Sequence, residues 1–329
     1  MKKLLVIAVA TALIAPAAAM ADTTLYGKLH ATVGTLDTGA ATDADMQVEN
    51  NNSRFGIKGS TELDNGLAAT YGLEMSVDID GDAASNLGSR NQFVGVKGGF
   101  GEVRIGKHDT PAKLSTAGLD AFADNNQAEM SGIIAADNHR VNNAVAYINK
   151  FGPVGFAVAH STDVLGDDTV NTAGAALNNS ANTAMANYST GPIYLGAGYT
   201  AVENVGTDIN IGAGYKHEAG HFANVVYETV EGDGVGAPAV AGFPGGASTD
   251  TNMYVAGGFK TGAATLKAAY GSSDRDTGGE ETNTTVGVDY ALGKKTSTYL
   301  MWNERDNAGH AVVSADKVTA TQVGLVTEF

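Results

Sequence analysis

The chain has 329 residues, a formal net charge of −16, 43 glycines, 6 prolines and no cysteine. This acidic balance excludes nucleic acid as an expected partner, because nucleic-acid binding depends on clustered lysine and arginine. The lack of cysteine excludes disulfide bonds, and abundant glycine with frequent Asn, Asp and Thr favours strands and turns over helices.

Residues 1–21 have the pattern of a secretory signal peptide. Lys2 and Lys3 form a basic start, an apolar run follows at residues 4–15, and Ala19-Met20-Ala21 is a small-x-small cleavage motif. The apolar run is too short to span a bilayer as a helix, which takes about 20 residues. We expect cleavage after Ala21, which leaves residues 22–329 as one domain with a net charge two units more negative.

The remaining chain alternates apolar and polar residues with the period of a β-strand. In the first strand Leu25, Leu29 and Val33 share one face, whereas Lys28 and His30 share the other. The same pattern predicts about sixteen strands, at residues 24–33, 53–63, 67–77, 89–97, 102–106, 141–149, 154–161, 184–189, 193–202, 207–217, 220–230, 252–260, 263–272, 282–292, 295–304 and 317–329.

The connections between these strands alternate in length. Short turns such as Asn65-Gly66 and Gly152-Pro153 alternate with long polar stretches such as residues 162–183 and 231–251. Short turns on one rim and long loops on the other are typical of an outer-membrane β-barrel. The mean hydropathy of −0.08 fits such a barrel, because lipid-facing and lumen-facing residues average to neutral. Closure requires the last strand, which ends at Phe329, to pair with the first.

Residues 107–138, named here the acidic segment, interrupt the strand pattern. A loop of about thirty residues in a compact fold is uncommon and is usually functional. We expect the acidic segment to fold inward and narrow the barrel, with its carboxylates toward arginines of the wall. The alternative is an ordinary surface loop, in which its apolar residues would be poorly placed. Its charged residues include Asp109, Lys113, Asp120, Asp124, Glu129 and Asp137.

Several stretches, taken in order, match a known family. They are Thr24-Leu25-Tyr26-Gly27, Ser53 to Gly59 followed by Asn65-Gly66, Phe93 to Val96 with Gly98 to Lys107, Arg140 to Tyr147 with Gly155-Phe156, and the terminal Phe329. Together they resemble the trimeric general porins of Gram-negative outer membranes. The similarity covers the first half of the chain well, and the second half mainly through its strand pattern.

The resemblance implies an all-β fold, a transmembrane antiparallel barrel of about sixteen strands whose long third extracellular loop folds into the lumen. It implies a homotrimer in outer-membrane lipid, exported through a cleaved signal peptide. It also implies passive diffusion of ions and small hydrophilic solutes, without a cofactor, a metal or an enzymatic step. The C-terminal strand ending in Phe329 is the expected signal to the barrel-assembly machinery.

The resemblance also implies a pore constriction with two sides, in which water separates the opposite charges. Arg90 is compatible with the lumen only if a β-bulge shifts the alternation of its strand, and a place on the surface or the rim is the alternative. Each acid of the acidic segment is alternatively a solvated loop residue. The expected wall residues are Arg54, Lys58, Arg90 and Arg140, and the expected loop residues are Asp120, Asp124 and Glu129.

Other functions stay open from the sequence. His217 and His221 flank a short turn and are a candidate metal pair, and His108 and His139 at the ends of the acidic segment are a candidate hydrolase pair. A channel specific for one solute and a surface barrel that binds a host or phage through its loops are the alternatives to a general channel. The overall charge favours cations and the basic wall favours anions; we expect a preference for cations.

Overall fold

The structure, a computed structural model, describes residues 23–38, 46–82, 85–164, 179–233, 247–276, 279–306 and 317–329. The expected signal peptide lies outside the described residues. The described chain is mostly strand, which confirms the all-β prediction. Each of the sixteen expected strands is present, with ends that differ by a few residues.

Seventeen strand segments form one antiparallel sheet. Two segments, β2 (Gln47–Asn50) and β3 (Arg54–Glu62), both pair with β1 (Thr24–Asp37), so they act as one strand interrupted between Asn50 and Arg54. The barrel therefore has sixteen strands, and the pairing of β1 with the last segment, β17 (Lys317–Glu328), closes it. The segments are β1 (Thr24–Asp37), β2 (Gln47–Asn50), β3 (Arg54–Glu62), β4 (Ala68–Val77), β5 (Leu87–Gly98), β6 (Gly101–Asp109), β7 (Arg140–Phe151), β8 (Val154–Ser161), β9 (Ala181–Thr190), β10 (Ile193–Val202), β11 (Gly206–Lys216), β12 (Phe222–Gly232), β13 (Thr249–Thr261), β14 (Ala264–Arg275), β15 (Gly279–Ala291), β16 (Thr296–Asp306) and β17 (Lys317–Glu328).

The sheet has an apolar face and a polar face. On β11, Ile209 and Ile211 are about half exposed, whereas Asp208 and Asn210, which alternate with them, are 0% exposed. This alternation follows from the two-residue period of a strand. A closed sheet has one face outside and one inside, so the exposed apolar residues form the outer surface that lipid would cover.

The chain between β6 and β7 contains the helical turns that position the candidate site. Thr110 caps the start of helix α1 (Pro111–Thr116), and its hydroxyl accepts a hydrogen bond from the backbone N–H of Lys113 at 3.1 Å. Three 3-10 turns follow, at Ala117–Leu119, Met130–Gly132 and Ala135–Asn138. Within the described ranges, no helix is long and apolar enough to cross a membrane.

Candidate pore constriction

The first part of the acidic segment, residues 110–119, packs against the polar face of β9 to β11. The side-chain amide of Asn210 donates to the carbonyl of Ala112 at 3.1 Å and to the hydroxyl of Thr116 at 2.8 Å. Gly198 permits this close approach, because a Cβ atom at that position would lie 2.6 Å from the Ala112 Cα atom. A small residue on the wall therefore brings α1 into contact with the sheet.

The middle part, residues 120–126, lies against strands near the other end of the chain. Lys267 on β14 donates from Nζ to the carbonyl of Ala121 at 2.7 Å. Asn125 donates from Nδ2 to the hydroxyl of Tyr299 on β16 at 2.8 Å. These contacts join the acidic segment to residues 146 and 174 positions away in sequence.

Within this middle part, Asp124 makes the closest charged contacts of the acidic segment. Its carboxylate accepts two hydrogen bonds from the guanidinium of Arg54, at 2.8 and 3.0 Å. It also accepts one from Nζ of Lys28 at 2.7 Å. Burial alone would raise the pKa of Asp124, but Arg54 and Lys28 outweigh that effect and hold the pKa well below its usual value.

The acidic segment then returns along the wall toward β7. The side chain of Ile133 packs on Gly271 of β14, where a Cβ atom would lie 2.7 Å from Ile133 Cγ1. The backbone N–H groups of Ala135 and Ala136 donate to the carboxylate of Glu228 on β12, both at 2.7 Å. The return path is thus fixed by both packing and hydrogen bonds.

A second set of ion pairs lies on the wall formed by β4 to β7. Arg90 contacts Glu74 at 2.6 Å, and Arg140 contacts Asp109 at 2.7 Å. The register of β4 and β5 shifts at a bulge between Leu73 and Met75, which is the irregularity that the lumen position of Arg90 requires. Asp109, counted with the acidic segment in the sequence, is the last residue of β6, so Arg90 and Arg140 each face a carboxylate of the wall.

Lys58 and Phe329 have different surroundings. The Nζ atom of Lys58 lies 4.7 Å from the ring centroid of Tyr26, a cation–π contact, and within the described residues Lys58 has no ion pair.

The backbone of Phe329 pairs with that of Gly27 through hydrogen bonds of 3.1 and 3.3 Å. Phe329 therefore takes part in closing the barrel.

Asp120 and Glu129 hold the acidic segment together. Asp120 accepts from the backbone N–H of Phe122 at 2.8 Å and of Met130 at 2.9 Å. Glu129 accepts from the hydroxyl of Ser131 at 2.7 Å. Burial raises the pKa of both carboxyls, and that of Asp120 reaches about 6. Their contacts are those of residues that shape the loop.

The structure brings together one expected pair, Arg54 with Asp124. Their direct contact at 2.8 Å shows that the expected separation of opposite charges by water is wrong at this position. Charges held in a partly buried place attract more strongly than in water, which explains why the pair closes. Among the described contacts, the other expected wall residues pair with carboxylates of the wall or with an aromatic ring.

Sequence reasoning missed Lys28 and Glu74 as members of the charged network. Lys28 lies directly opposite Arg54 in the register of β1 and β3. Glu74 shares its strand face with Ser76, which lies opposite Arg54. The signal was available, because cross-strand neighbours on one face of a sheet interact once the register is known.

The histidine pairs have structural partners. The Nδ1 atoms of His217 and His221 lie near the backbone N–H groups of Ala219 and Lys260, each at 3.1 Å. In the part of the chain that the structure describes, no three His, Cys, Asp or Glu side chains form a group that could hold a metal ion. The ring of His108 lies within hydrogen-bond distance of the guanidinium of Arg104 and of the backbone carbonyl of Asp109.

Comparisons with known proteins agree with this geometry. A family model described as Gram-negative porin matches residues 6–310. The major outer membrane protein P.IB of Neisseria gonorrhoeae is 36% identical over 151 residues, which are 43% of this chain and 42% of that protein. The P.IB protein of Neisseria meningitidis serogroup B is 38% identical over 120 residues, 34% of this chain and 35% of that protein. The matched regions thus span less than half of these curated relatives.

Solved structures share the fold over a longer range. An anion-selective porin from Comamonas acidovorans superposes with a TM-score of 0.76 at 22% identity, covering 93% of this chain and 99% of that one. OmpF of Salmonella typhi superposes with a TM-score of 0.69 at 15% identity, covering 93% and 97%. With the family model matching most of its length, this chain belongs to the Gram-negative porin family of outer-membrane proteins.

Proposed function

We propose that the protein forms a water-filled channel through which ions and small hydrophilic solutes diffuse passively across the outer membrane. The observation that carries this proposal is the row of charged residues, Lys28, Arg54, Arg90 and Arg140, on the polar face of a closed barrel. Charged side chains on the face opposite to lipid are what a water-filled lumen accommodates. The proposal needs no covalent step.

We further propose that the acidic segment lies in the lumen and narrows it. This is supported by contacts with the polar face of β1 to β3 and of β9 to β17, strands that follow one another around the closed ring. Contacts with the same face of so many strands support a place for the acidic segment inside the ring. The wall around Arg54, Arg90 and Arg140 then faces the remaining passage.

The proposed constriction has Arg54, Lys58, Arg90 and Arg140 on its wall side and Asp124 on its loop side. Asp120 and Glu129 belong to it as residues that fix the shape of the loop, since their hydrogen bonds are mainly to the acidic segment itself. The charged side chains of the proposed constriction set the electrostatic energy of an ion at the narrowest point, and so determine which ions pass.

The local charge of this constriction favours anions. Five cations, Lys28, Arg54, Arg90, Lys113 and Arg140, contact three carboxylates, Glu74, Asp109 and Asp124. The other carboxyls of the acidic segment, Asp120, Glu129 and Asp137, add less negative charge, because burial raises the pKa of each. Charges elsewhere on the acidic chain are screened beyond about 8 to 10 Å, so the local excess should dominate. We therefore propose an anion preference in place of the cation preference expected from the overall charge. The Comamonas neighbour is described as anion-selective.

The assembly is proposed from the same comparisons. One structural neighbour, OmpT of Vibrio cholerae, is described as a trimer form, which supports a homotrimer here. The pairing of Phe329 with Gly27 supports the C-terminal strand as the closing element and as the part that barrel-assembly machinery would recognise. Residues 1–21 remain the proposed signal peptide, with residues 22–329 as the barrel domain.

Planar-bilayer recording of the purified, folded protein tests the channel. We expect large conductance steps, grouped in threes for a trimer, and a reversal potential in a KCl gradient whose sign indicates anion preference. Folded protein that inserts without conducting would overturn the channel, whereas conduction with the opposite sign would overturn only the anion preference.

A further inference from the structure

Two carboxylates meet at the place where the acidic segment returns along the wall. Glu228 on β12 and Asp208 on β11 are both 0% exposed. Glu228 accepts three hydrogen bonds of 2.7 Å, from the backbone N–H groups of Ala135 and Ala136 and from the side-chain amide of Asn252. Its carboxylate is therefore the main polar contact between the wall and this part of the acidic segment.

The 3-10 turn that Glu228 holds has no side-chain cap of its own. Ile134 precedes the turn Ala135–Asn138 in an extended conformation and supplies no acceptor for its first N–H groups. The first N–H groups of a helical turn need an external acceptor, and a carboxylate is a strong one. Glu228 therefore supplies from β12 the cap that the local sequence lacks.

Among the described residues around this pair, none supplies a permanent positive charge. Glu228 faces Asp208 from β11, Asn252 from β13 and backbone N–H groups from the turn. The nearest ring, His139, has Nδ1 at 3.5 Å from Asp208. Among the described residues, no lysine or arginine forms an ion pair with either carboxylate.

Two adjacent buried carboxyls without a cation do not both ionise, because each negative charge opposes the other in a medium that solvates neither. Asp208 lies diagonally opposite Glu228 on the same face of the sheet, because β11 and β12 pair Asp208 with Val230 and Asn210 with Glu228. Among the described contacts, no N–H or O–H group donates to either oxygen of Asp208, whereas Glu228 accepts three hydrogen bonds. The proton therefore belongs on Asp208, whose hydroxyl then donates to Glu228.

We propose that Asp208 and Glu228 share one proton and that this pair is the latch that positions the acidic segment in the constriction. Protonated Asp208 donates to Glu228, and ionised Glu228 holds Ala135 and Ala136. When the proton leaves to bulk water, two buried negative charges face each other and the latch loosens. The inference rests on the proposed function for its effect on conduction, whereas the latch itself is independent of conduction.

Hydrogen exchange of the backbone amides of Ala135 and Ala136, followed by mass spectrometry on the folded full-length protein, measures the latch directly. In the wild type we expect protection at pH 7 that falls toward pH 10, after correction for the intrinsic pH dependence of exchange. Glu228→Gln replaces one acceptor oxygen with a donor, so exchange should be faster by on the order of 10- to 100-fold at pH 7.

The variant Asp208→Asn distinguishes a proton shared by the two carboxyls from a positive charge on His139. The side-chain amide of Asn donates to Glu228 without a titratable proton, so we expect protection at pH 7 within about threefold of the wild type and no loss toward pH 10. If protonated His139 were instead neutralising an ionised Asp208, this variant would leave the histidine charge unpaired, and protection at pH 7 would fall.

The matched control is Glu231→Gln, which removes an exposed carboxylate from the same strand. It should exchange like the wild type at every pH. Protection that stays flat from pH 7 to pH 10 in the wild type, or an equal loss in Asp208→Asn and Glu228→Gln, would overturn the latch. These outcomes do not depend on conductance, so they leave the proposed channel function to its own test.

Discussion

At the scale of single residues, Asp124 connects the two sides of the proposed constriction. It bridges Arg54 and Lys28, with side chains that are 17–22% exposed. Partial exposure means that water still screens the group, so the contact is worth less than a fully buried ion pair. Its importance is positional, because the contact holds the tip of the acidic segment beside the wall.

The variant Asp124→Asn tests this position. Loss of the carboxylate leaves Arg54 and Lys28 without their shared negative charge, so the anion-to-cation permeability ratio should rise. We expect a change of about twofold to fivefold, since one unit charge at about 4 Å in water is worth ~1 kcal/mol. Arg54→Ala should change the ratio in the opposite direction. Reversal potentials in a KCl gradient measure both.

Glu304→Gln is the control for this prediction, because it removes a carboxylate paired with Lys317 near the end of β16. The ratio should then stay at the wild-type value. An unchanged ratio in both Asp124→Asn and Arg54→Ala would remove these residues from the constriction.

The residues of the candidate site were predictable to different degrees. Arg54 follows from strand alternation, because Phe55 and Ile57 beside it are apolar. Arg90 needed the β-bulge at Leu73, which alternation alone does not reveal. Glu228 was not predicted, since its role depends on a contact with Ala136, 92 positions away. Contacts of that kind depend on register and loop path, and neither is encoded in local periodicity.

At the scale of elements, the acidic segment is an inserted layer with its own apolar contacts. Leu119, Phe122, Met130 and Ile134 are nearly fully buried. They pack with Tyr254 and other residues of the polar face of the wall. Burial of apolar side chains explains why a segment with so many acids remains attached to a wall that also carries carboxylates. The strand ends were predictable from the local alternation of apolar and polar residues. The acidic segment was recognisable only because it interrupts that alternation, which does not predict where it packs.

Burial of the acidic segment predicts pH-dependent selectivity. Burial raises the pKa of Asp120 to about 6 and that of Asp137 to about 7, the latter against the opposing charge of Lys113. Toward pH 5 both carboxyls are mostly neutral, so the cation excess and the anion preference are largest. As pH rises through 6 to 8, up to two negative charges appear and the anion preference should decrease.

Reversal potentials between pH 5 and pH 9 check this dependence. Asp137→Asn should flatten the upper part of the curve, and Asp120→Asn the lower part, because each removes one titrating group. A wild-type ratio that is constant over this range would contradict the placement of these acids near the ion path.

At the scale of the whole molecule, the barrel depends on the junction of its two terminal strands. β1 and β17 pair over ten positions, from Lys28 with Glu328 to Asp37 with Thr319. A closed sheet leaves no unpaired edge, which a lipid environment could not satisfy. The ring of Phe329 covers Gly27, where a Cβ atom would lie 2.2 Å from the ring. The junction therefore combines backbone pairing with one tight side-chain contact.

A double-mutant cycle tests this contact. Gly27→Val should destabilise the folded barrel by about 1–3 kcal/mol, because the added side chain overlaps the ring of Phe329. In the background of Phe329→Ala the same change should cost much less, since the ring is gone. Thermal unfolding followed by circular dichroism and by the gel mobility of the folded form gives both values. Additive effects would mean that the ring does not cover Gly27.

The break between β2 and β3 has a further consequence. At this break the wall presents amide groups to the acidic segment. The side-chain oxygen of Asn51 accepts a hydrogen bond from the backbone N–H of Asn126 at 2.9 Å, and the backbone carbonyl of Asn50 accepts one from the side-chain amide of Asn126 at 2.8 Å. Asn51 is itself anchored to Thr32. In the proposed channel, the width of the passage is thus partly set by neutral groups, so its size limit for solutes can change without a change in any charge of the proposed constriction.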